Sequence, residues 1–331
     1  MRSFLWLLAV ACALGAVGCT PPPASAPLSL VVMTFNTGSS TGLPFQNNPD
    51  GGYGSAQAAL TDQYYGNGLA WRPVVEDTRH FFQLTRPDLV GFQEIFHPGD
   101  CAAIPAPAQA GFVCETWQPG DPTVAQLLLG EGYQVVCHLG KPDKCVGVKK
   151  SFGTVRGCGS DLCLDGLDGA PVETCGRGSR IGRAVVELKA GGTLTLVNVH
   201  GSSGVAKDDA ACRVKQFDQV FVDLGDGAPA ASGERVVVLG DFNTDPARFA
   251  GFDDSANHLK QFAGPGKPFH YVTAVGNDAP ATYAGLFNID HVLSNVFTGH
   301  CWVPTVTPGW PAPTDSVFFD HLPHTCELSQ R

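Results

Sequence analysis

The sequence predicts an α/β fold: two mixed β-sheets packed face to face and flanked by helices, a sandwich of four layers. Three observations lead there. Short runs such as Val236–Leu239, rich in β-branched residues, and Leu89–Phe92 are apolar throughout, the pattern of strands buried on both faces. Amphipathic stripes lie between them, one opening at Arg72-Pro73 and one spanning Ala210–Leu224. The segments Ile181–Leu188 and Thr193–Val199 face each other across Ala190-Gly-Gly192 as antiparallel neighbours. Strands that alternate with helices yet include antiparallel pairs belong to a mixed sandwich.

Composition bounds the rest. The chain has 331 residues, 44% of them hydrophobic, which is too apolar for a disordered chain and enough for one large core. Residues 1–18 read as an export signal, with Arg2 as the charged start and Phe4–Val17 as an apolar run short of a membrane span. Ala16-Val17-Gly18-Cys19 resembles a lipobox, with Ala where Leu is usual. Cys19 would then carry lipid and residues 19–27 would form a Pro-rich tether to the membrane. Ordinary signal cleavage and free secretion is the alternative, and both routes export the chain. Residues 28–331 form the single remaining domain. It shows no repeats and no heptads, so a monomer is expected.

Cysteine usage agrees with export. Of 12 cysteines, setting aside Cys12 and Cys19 leaves an even number, enough for up to five disulfides. Near neighbours suggest Cys101–Cys114, Cys137–Cys145 and Cys301–Cys326. A zinc site at Cys158 and Cys163 would lack a second matching pair. The formal net charge of −10 argues against nucleic-acid binding by bulk attraction, although Lys141–Arg183 is locally basic.

In chain order, Ser29–Thr34 is the first strand, with Asn36 at its end. Residues 37–70 lack periodicity and read as an ordered surface insertion over the site. The helix from Arg72 buries Val74, Val75, Thr78, Phe81, Phe82 and Leu84, with Pro73 placed where its missing N–H costs nothing. Leu89–Glu94 is a short strand ending in a carboxylate, a costly feature unless that group is exposed, paired or bound to a cation. A Pro-rich loop over 95–123, a short helix at Val124–Leu129 and a hairpin of Tyr133–Leu139 with Lys144–Val148 follow. Residues 158–180 form a loop that disulfides would hold. Thr193–Val199 leads into His200 and Gly201-Ser-Ser-Gly204. Val236–Leu239 leads to Gly240, a tight turn, and then to Asp241 and Asn243, which in strand-like geometry would face one point. Tyr271–Val275 follows, then Asn288–Leu293, a strand with Asp290 in mid-run. Asp320-His321 forms the last cluster.

Each of these polar residues alone is an ordinary turn residue. Together, in order, Phe35-Asn36, Gln93-Glu94, Asn198-Val-His200, Gly240-Asp-Phe-Asn243, Ile289-Asp-His291 and Asp320-His321 resemble the motifs of the endonuclease/exonuclease/phosphatase superfamily. The resemblance runs through essentially the whole chain after the signal. It implies metal-dependent hydrolysis of phosphoesters. Asn36, Glu94 and Asp320 would be the metal ligands, hard oxygen donors suited to Mg2+ or Mn2+, with Ca2+ as a further candidate. His321 would act as acid or base with Asp290 as its partner. Asp241 would orient or deprotonate water, Asn243 would hold a phosphate oxygen, and His200 would contact phosphate or pass a proton. Arg180 and Arg183 are candidates for a phosphate clamp.

There are departures. The deoxyribonucleases of this family pair the equivalent of His200 with a hairpin Glu, whereas this hairpin reads Lys144-Cys-Val-Gly-Val148 with Asp143 assigned to the turn. His97 stands where the sphingomyelinases carry an acid. The resemblance therefore implies a phosphodiester substrate, first nucleic acid and second a phospholipid headgroup. Tyr53, Tyr64, Tyr65 and Trp71 would serve the second reading as interfacial aromatics. A phosphomonoesterase ranks third, and a non-catalytic binding module last because every ligand type is present.

Overall fold

Alternation along the central strands sorts side chains into layers. The computed structural model describes residues 27–38, 55–165, 175, 181–224, 228–304, 307–313 and 319–331. The signal segment, Cys19, tether residues 20–26, Tyr53 and Arg180 lie outside them.

The strands are β1 (Ser29–Asn36), β2 (Leu89–Gln93), β3 (Tyr133–His138), β4 (Lys141–Lys149), β5 (Gly153–Val155) and β6 (Ile181–Leu188). They continue with β7 (Thr193–His200), β8 (Val236–Asp241), β9 (His270–Tyr271), β10 (Asp290–Ser294), β11 (Phe297–Trp302) and β12 (His324–Gln330). Helices are α1 (Ser55–Leu60), α2 (Arg72–Thr85), α3 (Val124–Leu129), α4 (Lys207–Phe221) and α5 (Asp254–Leu259). One sheet runs β11-β12-β1-β2-β4-β3 and the other β5-β6-β7-β8-β10-β9. Each has a parallel pair at its centre, β1 with β2 and β7 with β8, amid antiparallel neighbours. The mixed two-sheet sandwich expected from the sequence is the observed fold.

Along β8, Val237 and Leu239 point inward to meet Val32, Leu89 and Val146 of the other sheet, while Val236 and Val238 point outward to α4 and α5 through Phe217, Val220 and Leu259. On the far side, Met33, Phe35, Val90 and Phe92 pack against Val74, Phe81 and Leu128 of α2 and α3. Burying each such side chain is worth about 1.5–3 kcal/mol, so the three apolar layers hold four structural ones together.

Several expectations need correction. Gly240 does not turn the chain: β8 runs on through Asp241, and a side chain at Gly240 would overlap the Val199 carbonyl of the paired strand. The segment 55–70, expected as an ordered insertion on the surface, carries α1, a π-helical turn and a 3-10 turn and buries Tyr65, Leu69 and Ala70. Asp143 belongs to β4, not to a turn. Leu84, counted in the α2 stripe, is 57% exposed. Of Tyr271–Val275 only Tyr271 is in a strand, and Asp290 opens β10 instead of interrupting it. The sequence pattern also missed α5, β11 and β12. The two strands lack apolar runs but face each other with Cys301 opposite Cys326. All three expected disulfides form, joined by Cys158–Cys163 and Cys175–Cys212. No zinc pair is left at 158 and 163. Five disulfides fit an oxidising compartment.

His291 of β10 is fully buried and satisfied as a neutral ring, with Nε2 3.2 Å from the Thr244 carbonyl oxygen and Nδ1 3.4 Å from Thr273 Oγ1. Burial, with His324 nearby, pushes its pKa down from 6.5 to about 4. The unfolded chain therefore takes up a proton below pH 6.5 that the folded ring refuses until about pH 4. Stability contributed by this ring is present above pH 6.5 and is lost as pH falls across that window, on the order of a few kcal/mol. Urea midpoints at pH 7.0 and 4.5 should differ markedly less in His291→Gln than in the parent chain. An unchanged difference would show that this ring does not set acid stability.

Candidate active site

The parallel pairs β1–β2 and β7–β8 deliver their carboxyl ends to the same end of the sandwich, where α/β sheets present ligand-binding groups. Asn36 ends β1, Glu94 follows β2, His200 ends β7 and Asp241 ends β8. β10 runs antiparallel to β8 with Asp290 opposite Asp241. His321 lies just before β12 and bridges to Tyr283, whose ring is 4.7 Å from the imidazole.

Asp241 is the centre of this arrangement. It is only 1% exposed, yet its Oδ2 accepts from Asn36 Nδ2 at 3.0 Å and from Asn243 Nδ2 at 2.9 Å. Two imidazole nitrogens, Nε2 of His200 and Nε2 of His321, stand 3.8 Å from the same oxygen. Oδ1 accepts from the Asn243 backbone N–H at 2.8 Å. Burial holds the Asp241 carboxyl above the usual carboxylate range against the pull of His321, and the charge of Asp290 adds to the rise.

His321 Nδ1 is 2.9 Å from Asp290 Oδ2, which fixes the ring and turns Nε2 toward Asp241. Burial works to lower the His321 pKa, but the carboxylates of Asp290 and Asp241 outweigh it and hold it well above 6.5. Asp290 is held low in return: burial opposes its charge, and the charge and hydrogen bond of His321 more than offset it.

His200 finds its partner in Glu94, whose Oε1 lies 3.2 Å from Nε2. The partner thus comes from the end of β2 and not from the hairpin. Lys144, which the sequence reading passed over, is buried beside this pair and bonded to Asp143 at 2.6 Å. Burial raises the Glu94 pKa, but His200, then His321 and Lys144, bring it down to about 2. Glu94 and Asn243 both adopt left-handed backbone, with φ of 57° and 50°, a conformation that costs non-glycine residues energy and clusters at functional sites.

Asp241 and Asn243 therefore meet through a tight turn and not through strand alternation. Both amide hydrogens of Asn243 are engaged within the protein, by Asp241 and by the Gly201 carbonyl at 3.1 Å. Asn243 holds Asp241 in this arrangement. Arg183 is not part of the site: it pairs with Val197 on the sheet face that packs against α4, while Asn198 and His200 point the other way. Asp320 is half-buried at the rim, with its N–H 3.4 Å from the Gly38 carbonyl.

The expected metal ligands are Asn36, Glu94 and Asp320; a further group of donors is also assembled. Among the described residues, Asp241, Asp290 and His321 bring their ligand atoms within 4.8 Å of one another. Asp290 and His321 in that trio are already bonded to each other. A second donor pair lies beside it: a side chain at Gly38 would overlap the Glu94 carboxylate and come within 3.2 Å of Asn36 Oδ1. A partly exposed carboxylate beside a buried amide oxygen that accepts from the Gly38 N–H at 2.9 Å is a fitting donor pair for a hard cation.

A polar chain missed as such binds the two sheets beneath the site. Thr34 Oγ1 donates to Gln93 Oε1 at 3.2 Å, Gln93 Nε2 to Asn198 Oδ1 at 2.5 Å, and Asn198 Nδ2 to the Phe92 carbonyl at 2.8 Å. The signal was available, since Gln93 and Asn198 are amides inside otherwise apolar strands.

An endonuclease/exonuclease/phosphatase family protein from Bacteroides thetaiotaomicron superposes with a TM-score of 0.52 over 93% of this chain and 97% of its own, at 16% identity. The chain has the endonuclease/exonuclease/phosphatase fold. Humanised D. rerio TDP2 shares that fold at TM-score 0.52 and 15% identity, with coverage of 91% and 98%. A family protein from Leptotrichia buccalis does so at 0.51 and 9%, with coverage of 90% and 99%. No protein-family model and no curated protein sequence matches the chain.

The Asp290–His321 bond gives a direct test. In metal-free protein the His321 ring should titrate above 6.5 by NMR, and Asp290→Asn should lower that value by at least ~1 unit, since one unit is only about 1.4 kcal/mol of lost charge interaction. An unchanged titration would mean that Asp290 does not govern the ring.

Proposed function

We propose that this chain is an exported, divalent-metal-dependent phosphodiester hydrolase acting on nucleic acid. The observation that carries the reading is the convergence of Asn36, His200 and His321 on one buried oxygen of Asp241 at the carboxyl edge of both sheets, with Glu94 bonded to His200 and Asp290 to His321. A fold shared at such low identity does not assign chemistry; this constellation supports it.

Each side chain has a role suited to its surroundings. Glu94 and Asn36 would hold the ion, with Asp320 at the rim as a further oxygen donor. The ion supplies the positive charge that lets a nucleophile approach an anionic phosphate. Asp241 is held in a fixed orientation by two amides, and its raised pKa suits it to accept a proton from water near neutral pH. His321, kept charged by Asp290, and His200, set by Glu94, offer N–H groups to phosphate oxygens and protons to a departing oxygen.

A cavity of about 330 Å³ opens beside Glu94 and His200, walled by Tyr65, Asn67, Phe96, Lys141 and Lys144. It gives room for the rest of a substrate next to the scissile bond. Among proteins of this fold, D. rerio TDP2 has been seen with a single-stranded DNA product, at TM-score 0.50 and 14% identity. ANGEL2, a 2′,3′-cyclic phosphatase, has been seen with adenosine-2′,3′-vanadate. Both favour a nucleotide-like substrate. The lipid reading loses two of its interfacial aromatics, because Tyr65 and Trp71 are buried in the α2-side core. The disulfides and the signal-like start support export; lipidation at Cys19 is part of the proposal.

Activity should be assayed on plasmid DNA, RNA, sphingomyelin and an inositol phosphate, with Mg2+ and with chelator. Turnover of DNA or RNA that stops in excess EDTA and in Glu94→Gln is the expected result. His321→Ala should lose ~10²–10⁴-fold in kcat, the usual worth of one placed acid or base. Full activity in EDTA, or hydrolysis of sphingomyelin alone, would overturn the reading.

A further inference from the structure

Arg213 of α4 is among the largest fully buried side chains, 2% exposed, and it touches no part of the cleft described above. Its guanidinium points along the back of two loops. Nη1 donates to the carbonyls of Ser202 at 2.7 Å and Gly204 at 2.8 Å, in the loop that leaves His200. Nε donates to Ser255 Oγ at 2.9 Å, and Nη2 to Asp253 Oδ2 at 3.1 Å. The same Asp253 oxygen accepts from Thr244 Oγ1 at 2.8 Å, one residue beyond Asn243. Ser255 holds the other carboxylate oxygen through its N–H at 2.9 Å and its hydroxyl at 2.6 Å. Burial opposes the charge on Asp253, but Ser255 and then Arg213 more than offset it and keep the group ionised.

The two loops also meet directly. Gly201 N–H donates to the Asp241 carbonyl at 2.8 Å, and Asn243 Nδ2 donates to the Gly201 carbonyl at 3.1 Å. A side chain at Gly201 would overlap the Phe242 carbonyl. Gln216, one turn along α4, accepts from the Ser202 N–H at 2.8 Å. α4 thus carries two side chains that grip the same loop.

We propose that Arg213 is a positioning residue: one buried guanidinium locks the loop after His200 to the loop carrying Asn243 and so sets both against Asp241. The catalytic consequence rests on the hydrolase reading, while the mechanical one does not. A planar fork with five donors in fixed directions can reach four acceptors, two carbonyls in the loop after His200 and the side chains of Asp253 and Ser255 where the Asn243 loop enters α5; the ammonium of lysine, a point charge with three donors, cannot. Arg213→Lys keeps the charge opposite Asp253 and removes the span. Because reacting groups displaced by about 1 Å can cost ~10²-fold in rate, the loss should fall on turnover and not on substrate affinity.

The test uses full-length, disulfide-bonded protein with Mg2+, assayed on bis(p-nitrophenyl) phosphate and single-stranded DNA, beside amide hydrogen exchange. In Arg213→Lys, kcat per folded molecule, with the folded fraction counted by circular dichroism, should fall at least ~10-fold with KM within about threefold; that normalisation removes the loss a smaller folded fraction would cause. Exchange at Gly201–Gly204 and at Asn243–Thr244 should quicken at least ~10-fold together, while β1 and β8 stay protected. If Arg213→Lys does not fold, Ser255→Ala removes a single partner and should loosen the same two loops to a smaller degree. Unchanged exchange in both loops, or quickening in one alone, would overturn the coupling. Wild-type protein that hydrolyses neither substrate would sink the hydrolase reading, and the exchange data would still decide whether Arg213 joins the loops.

Discussion

A carboxylate sealed between two sheets is the constraint on which this architecture turns. Asp241 lies at the end of a strand with apolar neighbours on either side, where an ionised group without partners would be strongly disfavoured. Its partners cannot come from its own strand. One amide arrives from the opposing sheet, another from the turn that follows, and two imidazoles from β7 and from the approach to β12. The sheets must therefore pack in one register for the charge to be accommodated. The Gln93–Asn198 bond enforces that register from below, and Gly91 leaves it room, since a side chain there would strike Leu239 and Asn198. Stability and chemistry thus make the same demand on the same few positions.

Charge in the cleft is balanced by sharing. Asp290 and His321 stabilise each other's ionised forms, Glu94 and His200 form a second couple, and Asp241 stands between them. An isolated buried histidine such as His291 is kept neutral by the same low polarity. What separates the two rings is a carboxylate within hydrogen-bonding distance.

Much of this was legible in the residues, for identifiable reasons. Apolar β-branched runs marked β1, β2, β7 and β8, and a polar residue just past each run marked the site. Legibility failed where tertiary contact overrides pattern. β11 and β12 have no apolar run, and only the spacing of Cys301 and Cys326 hinted that two segments lie side by side. Arg183 sits in a strand where a one-residue step reverses the face, so nearness in sequence to Arg180 carried no information about direction. Asp241 and Asn243 were expected to face one point by strand alternation, whereas it is the left-handed backbone of Asn243 that turns its amide onto Asp241. The partner of His200 could not be read at all, since Glu94 is 106 residues away and meets it only across the sandwich.

The directions of the first and last strands of the chain have a consequence for how the molecule faces its surroundings. β1 runs from Ser29 to the site at Asn36, and β12 runs antiparallel to it, with Ser29 beside Ser329 and Gln330 bonded to Leu28. Both ends of the domain therefore emerge together at the pole opposite the cleft, a strand's length of about 25 Å away. Anything joined to either end, whether a surface, a resin or a fused partner, leaves the mouth of the cleft pointing outward. Held by its N-terminus on a short leash, the domain would greet molecules arriving from solution more readily than those embedded in the layer behind it.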